Sequence, residues 1–210
     1  MQPKTRLLVF GLLFSAANSF ASFLTFYWPV HPHGSKTIAD ALGLFGAFAI
    51  LAGLVLIPIY LFVPKYRYLA VVGVPVALLL VAGSFLGGKI GIILRMDAFE
   101  QLAARSSPLV AAIDQFVVDQ GRPPNDLTEL VPKYLPAVPS TGMGGYPEYE
   151  YLVGSRAEEY AGNPWALLVR AWGPGINFDE FMYFPKQNYR EYLYGGGPIE
   201  RIGDWGYLPE

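Results

Sequence analysis

The chain has no cysteine among its 210 residues. That excludes disulfides, thiolate metal sites and a cysteine nucleophile in one step. Histidine is almost missing as well, since His31 and His33 are the only two. The commonest general base is therefore lacking from everything that follows. His31-Pro32-His33 offers two ligands with only Asp40 nearby, whereas a metal site needs three or four, so no metal is predicted there. Basic clusters are lacking too. From Arg95 onward nine Lys and Arg stand against sixteen Asp and Glu, a net −7. Up to Leu94 six basic residues stand against one acidic, a net +5. An acidic C-terminal half excludes nucleic acid as a partner, because phosphate binding needs clustered Lys and Arg.

Catalytic sets are absent in the same way. Gly154-Ser155 is flanked by Val153 and Arg156, so there is no nucleophile elbow. The glycine runs at 142–145 and 195–197 lack the Lys-Ser/Thr of a phosphate loop and read as turns. Glu158-Glu159 and Asp179-Glu180 are neighbours in sequence, not carboxylates facing each other about 5 to 9.5 Å apart across a cleft. No catalytic residue and no cofactor is predicted, and the chain reads as non-enzymatic.

Charge is also missing from three long apolar runs, 7–28, 41–63 and 69–88. Each reaches the roughly 20 residues that cross a hydrocarbon layer about 30 Å thick. Tyr27-Trp28, Tyr60, Tyr66 and Tyr68 lie at their ends, where amphipathic rings favour the interface. Residues 1–94 are thus predicted to be a three-span α-helical bundle and membrane lipid its surroundings. Lys4 and Arg6 precede the first run and Lys65 and Arg67 follow the second, while the first loop holds Lys36 beside Asp40. The positive-inside rule puts the N-terminus in the cytoplasm and the C-terminal domain outside, in a multi-pass inner-membrane protein. Lys89 is placed at the interface, snorkelling. Ser19-Phe20-Ala21 resembles a signal-peptide cleavage site, but the apolar run continues to Trp28, which favours a retained span. Small and polar residues mark packing faces: Gly11, Ser15, Asn18 and Ser19, with Ser22, on the first helix and Gly83, Gly87 and Gly91 on the third. They fit a compact bundle, or a lateral surface for a second membrane protein or a homodimer.

Residues 95–210 are expected to form an α+β domain outside the membrane. Phe99, Leu102, Ala103, Leu109, Val110, Ile113, Phe116 and Val117 recur at spacings of three and four, which predicts a long amphipathic helix. Pro108 either kinks it or opens a new helix capped by Ser106 or Ser107. Gly121 and Pro123-Pro124 stop it. Asp126 with Glu129 three later predicts a capping box. Strands are expected over 149–153, 165–172, 181–184 and 202–208, separated by Asn163-Pro164, Gly173-Pro174-Gly175 and Gly195-Gly196-Gly197-Pro198. A helix laid on a small antiparallel sheet buries both apolar faces.

The stretch AAIDQFVVDQGRPPNDLTELVPKYLP, 111–136, carries Gly121, Pro124, Leu127 and Leu130 in a G-x-x-P-x-x-L-x-x-L pattern. It resembles the end of the long helix in type IV pilins and type II secretion pseudopilins. The likeness covers roughly residues 85–208, with Tyr149, Tyr151, Trp172 and Trp205 where the strands of that class carry aromatic residues. It implies a pilin-like fold on a multi-span anchor, and a protein–protein assembly role accessory to a secretion or pilus system. Some pseudopilins hold calcium in a late acidic loop. Asn177, Asp179 and Glu180 are the matching oxygen donors, against the plainer expectation of an ordinary acidic turn. Ten of the fourteen tyrosines lie after Arg95. Most are assigned to the sheet core; Tyr189, Tyr192 and Tyr194 are expected at an exposed interaction surface. A stand-alone envelope sensor or ligand-binding protein is the alternative.

Overall fold

A computed structural model describes residues 2–173, 178–192 and 199–209. It is about 60% helical, with three long apolar helices and one small antiparallel sheet of five strands. The chain divides into two compact units. One comprises Met1–Pro29 and Ser35–Arg95, the other Val30–Gly34 and Met96–Glu210.

In the first unit α1 runs Pro3–Tyr27 and α2 runs Lys36–Phe62. Pro3 opens α1, where its missing N–H costs nothing. The Ser35 hydroxyl caps α2 by accepting the Ile38 N–H, and Lys36 pairs with Asp40 one turn on at 2.6 Å. The helix α3 spans Ala70–Gln120, and its residues up to Arg95 belong to this unit. The helices meet where side chains are small. Gly83 and Gly87 lie against Ser19, and Gly91 against Phe23, so α1 and α3 touch almost backbone to backbone. Phe14 meets Phe45 edge-on between α1 and α2, with ring centres 5.7 Å apart. The outward faces are apolar instead of polar: Phe10, Phe48, Phe85 and Val71 are among the most exposed side chains. In the three candidate spans only 22%, 17% and 22% of the most apolar stretch is buried. So much uncovered apolar surface on three helices suits an apolar solvent.

The second unit takes the rest of α3, from Met96. Phe99, Leu102, Leu109, Ala112, Ile113 and Phe116 form its buried stripe. Pro108 does not start a new helix, since α3 continues through it. It and Ala104, whose carbonyl it leaves without an N–H partner, are both on the exposed face, where water can take over. Gly121 ends the helix with φ +69°, its N–H bonded to the Val117 carbonyl at 2.9 Å. Asp126 caps the short 3-10 turn Leu127–Leu130. The expected capping box is shifted by one residue: Glu129 accepts the backbone N–H of Asn125 at 3.0 Å and pairs with Arg122 at 3.0 Å.

The sheet is β1 Glu150–Val153, β2 Trp165–Arg170, β3 Glu180–Tyr183, β4 Glu200–Ile202 and β5 Trp205–Leu208. Its order is β1-β2-β3-β5-β4, all antiparallel. The single last strand expected over 202–208 is therefore two strands. Gly203, at φ +59°, and Asp204 form a two-residue turn between the paired Ile202 and Trp205. A short helix, α4 Ser155–Glu158, follows β1.

One sheet face packs on α3 through Phe99 stacked on Phe181 at 4.9 Å, with Trp205 stacked on Phe181 at 4.9 Å. Ser106, buried on α3, bonds the Tyr149 hydroxyl at 2.8 Å. The other face buries Leu152, Leu168, Met182, Phe184 and Leu208 with Ala157 of α4 and Tyr189. Trp165 through Val169 are buried at every position, because β2 lies inside the sheet between β1 and β3 and is covered on both faces. Val30–Gly34 joins this unit by a bond from the Gly144 N–H to the His31 carbonyl at 3.0 Å. A Cβ at Gly144 would run into Gly34, so only glycine allows that approach.

Candidate functional site

The residues singled out by sequence separate into core, packing and surface groups. Asn18 is fully buried in the first unit, and its side-chain amide donates to the Ser84 hydroxyl, which in turn donates to the Leu80 carbonyl at 2.8 Å. Ser15 is buried beside it and reaches the Val76 carbonyl at 3.5 Å. Gly11 faces Val76. With the Ser19 contacts of Gly83 and Gly87, these polar groups lie between the helices and not on the outward faces.

Tyr189 is a correction. It was expected at an exposed surface, yet it is only 4% exposed. Its ring stacks on Phe184 at 4.7 Å, and its hydroxyl accepts the Phe184 N–H at 3.0 Å and donates to the Asp204 carbonyl at 2.6 Å. Burial pushes its phenol above the ordinary tyrosine range. Tyr192 is half-buried, stacked on Tyr160 at 5.1 Å. Tyr194 lies outside the described residues, as does Asn177.

Asp179 and Glu180 do not form an open acidic turn. Asp179 is buried and accepts the Tyr207 hydroxyl at 2.6 Å. Glu180 starts β3 and pairs with Arg170 at 3.5 Å. Arg170 also grips Glu150, which Arg156 holds from the other side at 2.6 Å. Those bonds, the one from Arg170 first, hold the Glu150 carboxyl below the usual glutamate range. Among the described residues no group of three or more His, Asp or Glu is placed to hold a metal. Beside this network lies a cleft of about 440 Å³ lined by Glu159, Tyr160, Arg170, Trp172, Phe178, Glu180 and Tyr192. Its cation is already committed, with Arg170 also over the Trp172 ring at 5.5 Å.

A larger cleft, about 580 Å³, lies between α3 and the β4–β5 hairpin. Glu100, Ala103, Ala104, Ser107, Val110, Ala111 and Asp114 supply the α3 side. Tyr183 and Arg201 through Trp205 supply the other. Spacings of three and four put the α3 residues on one side of the helix, adjacent to the buried stripe. Short side chains there leave the space open. Burial pushes the Asp114 carboxyl above the ordinary aspartate range. Sequence reasoning misses this cleft because its second wall is a hairpin whose residues, 202–208, read as one strand. Gly203-Asp204 between two apolar runs was the signal that marks it.

No family model matches the chain, and no curated protein or solved structure does either.

Proposed function

We propose that this chain is a multi-pass inner-membrane protein whose second unit faces outward and serves protein–protein assembly, without catalysis, as an accessory to a secretion or pilus system. One observation carries the proposal. The same unbroken helix, Ala70–Gln120, is apolar and uncovered in its first part and amphipathic in its second, where an antiparallel sheet is laid on it. A membrane helix whose later part carries a sheet is the arrangement that the pilin resemblance implies. The orientation rests on charge: Lys4, Arg6, Lys65 and Arg67 would lie in the cytoplasm, and three crossings then put residues 96–210 outside.

Sidedness tests this first. The chain has no native cysteine, and Ser155 is exposed. A Ser155→Cys variant should react with a membrane-impermeant maleimide in intact spheroplasts. Labelling only after lysis would put the sheet unit in the cytoplasm and end the envelope-assembly proposal. The 580 Å³ cleft favours a second proposal, an outward ligand-binding protein on the same anchor.

A further inference from the structure

The end of the first unit where α1 begins and α2 stops carries four cations and no carboxylate. Lys4 and Arg6 lie in the first turn of α1, and Lys65 and Arg67 lie in the connection from α2 to α3. Packing brings the two pairs to one level. Gly11 of α1 faces Val76 of α3, Ser19 lies against Gly83 and Gly87, and Phe23 against Gly91, so α1 and α3 run parallel. Counted back from the Gly11–Val76 contact, Lys4 stands about 10 Å down α1, and Arg67 about 14 Å down α3 and the 3-10 turn before it. All four residues are exposed. None has an acidic partner among the described residues. Asp40 is the one carboxylate in residues 1–94, and it pairs with Lys36 at the opposite end of α2.

These cations border uncovered apolar surface. Phe62 is 77% exposed and Val71 80%, on either side of the connection, and Leu8 and Val9 follow Arg6. Tyr66 and Tyr68 alternate with Lys65 and Arg67 and are exposed as well, with the Lys65 ammonium over the Tyr66 ring at 5.5 Å. Tyrosines set between charge and apolar surface mark the headgroup depth of a bilayer. A lipid seated there lays its acyl chains against Phe62 and Val71 and its headgroup against the cations. A zwitterionic headgroup fits poorly, because its own ammonium finds no carboxylate at this end. A headgroup of net negative charge leaves neither side unpaired.

We infer that this end of the first unit selects phospholipids with a net negative headgroup, whose phosphate oxygens accept from Lys4, Arg6, Lys65 and Arg67. The inference rests on the reading that the three helices cross a bilayer, and not on which leaflet the cations face. Each Lys or Arg at a bilayer surface favours an anionic lipid roughly fivefold.

The test uses the full chain reconstituted in phosphatidylcholine bilayers at low salt, with spin-labelled phosphatidylglycerol or spin-labelled phosphatidylcholine as the probe. The motionally restricted part of the spin-label spectrum reports lipid at the protein surface. Phosphatidylglycerol should associate at least about fivefold more strongly than phosphatidylcholine. Lys65→Gln combined with Arg67→Gln, both at exposed loop positions, should remove most of that preference, and Lys65→Arg combined with Arg67→Lys should keep it. Lys36→Gln, whose charge Asp40 already balances, should leave it in place. Equal association of the two probes overturns the inference while the membrane reading stands. No restricted component from either probe overturns both. An equal loss from Lys36→Gln overturns the inference, since attraction to charge anywhere on the bundle would then explain the preference. So does displacement of the lipid by millimolar glycerol phosphate, which would make this a site for a free phosphate.

Discussion

Replacing Gly87 by alanine should cost far more than replacing Gly46, although both are buried glycines in apolar helices. A Cβ at Gly87 would overlap the Ser19 carbonyl oxygen and come within 3.0 Å of the Ser19 carbonyl carbon and 3.3 Å of the Phe23 nitrogen. All three are backbone atoms of α1, so nothing can rotate aside and the helices must part. Overpacking of this kind costs about 1–3 kcal/mol, and an immovable neighbour puts Gly87 at the upper end. The gain in helix propensity returns about 1 kcal/mol, for a net loss of about 2 kcal/mol. At Gly46 a Cβ meets only the Ser22 hydroxyl at 3.5 Å and the Asn18 side-chain oxygen at 3.8 Å, which is ordinary contact. Only the propensity remains, a gain of up to about 1 kcal/mol. The two variants should differ by about 3 kcal/mol, more than a hundredfold in unfolding equilibrium. Gly83 belongs between them, because its obstacle is the Ser19 hydroxyl, which can turn away by giving up its 2.8 Å bond to the Ser15 carbonyl. The measurement is unfolding of the full chain in mixed micelles by increasing dodecyl sulfate, read by helical circular dichroism. Equal stability of Gly87→Ala and the parent, or a loss at Gly46 as large as that at Gly87, would refute the packing argument.

Two further outcomes concern the sheet unit. Tyr189→Phe leaves the buried Phe184 N–H and the Asp204 carbonyl without their partner and should cost about 1–3 kcal/mol, seen as a lower thermal midpoint in the near-ultraviolet circular dichroism; an unchanged midpoint would remove Tyr189 from the core framework. The Glu150 carboxyl is held below its ordinary value of 4.5, so its ionised form favours the fold above that pH and the benefit is lost as pH falls through the folded-state value. Glu150→Gln should therefore be the less stable protein at neutral pH, with the gap closing on acidification; a gap constant from pH 7 to about 3 would show that Arg170 and Arg156 contribute nothing through it.

Long elements were legible where one physical signal ran uninterrupted. The three apolar runs and the three-and-four spacing from Phe99 to Phe116 each identify a helix, since burial and periodicity agree over many turns. The turn residues Gly121, Asp126 and Asn163-Pro164 marked boundaries for the same reason. Pro108 was ambiguous because a proline breaks a helix only where the freed carbonyl has no substitute for the missing N–H. That depends on which face meets water, and water access is a tertiary property. Glu129 could reach either Asn125 or Asp126, and one residue of offset separates those outcomes.

The tyrosines were harder for a related reason. Tyr189 lies among Arg190, Glu191 and Asn188, and polar neighbours in sequence suggest exposure. What decides its burial is a ring stack on Phe184 and a hydroxyl aimed at the turn carbonyl of Asp204, fifteen residues away. Asp179 follows the same logic, since its partner Tyr207 is twenty-eight residues distant across the sheet. In both cases a polar atom is buried only because strand pairing brings its partner to it. The 580 Å³ cleft is the extreme instance. No residue in it is unusual alone, and alanines on a helix beside a carboxylate read as plain surface. It becomes a site only when the Gly203-Asp204 turn folds β4 back along β5 and sets Asp204 and Trp205 across from Asp114 and Ala111. The closing of one two-residue turn thus converts an ordinary helix face into a walled cleft.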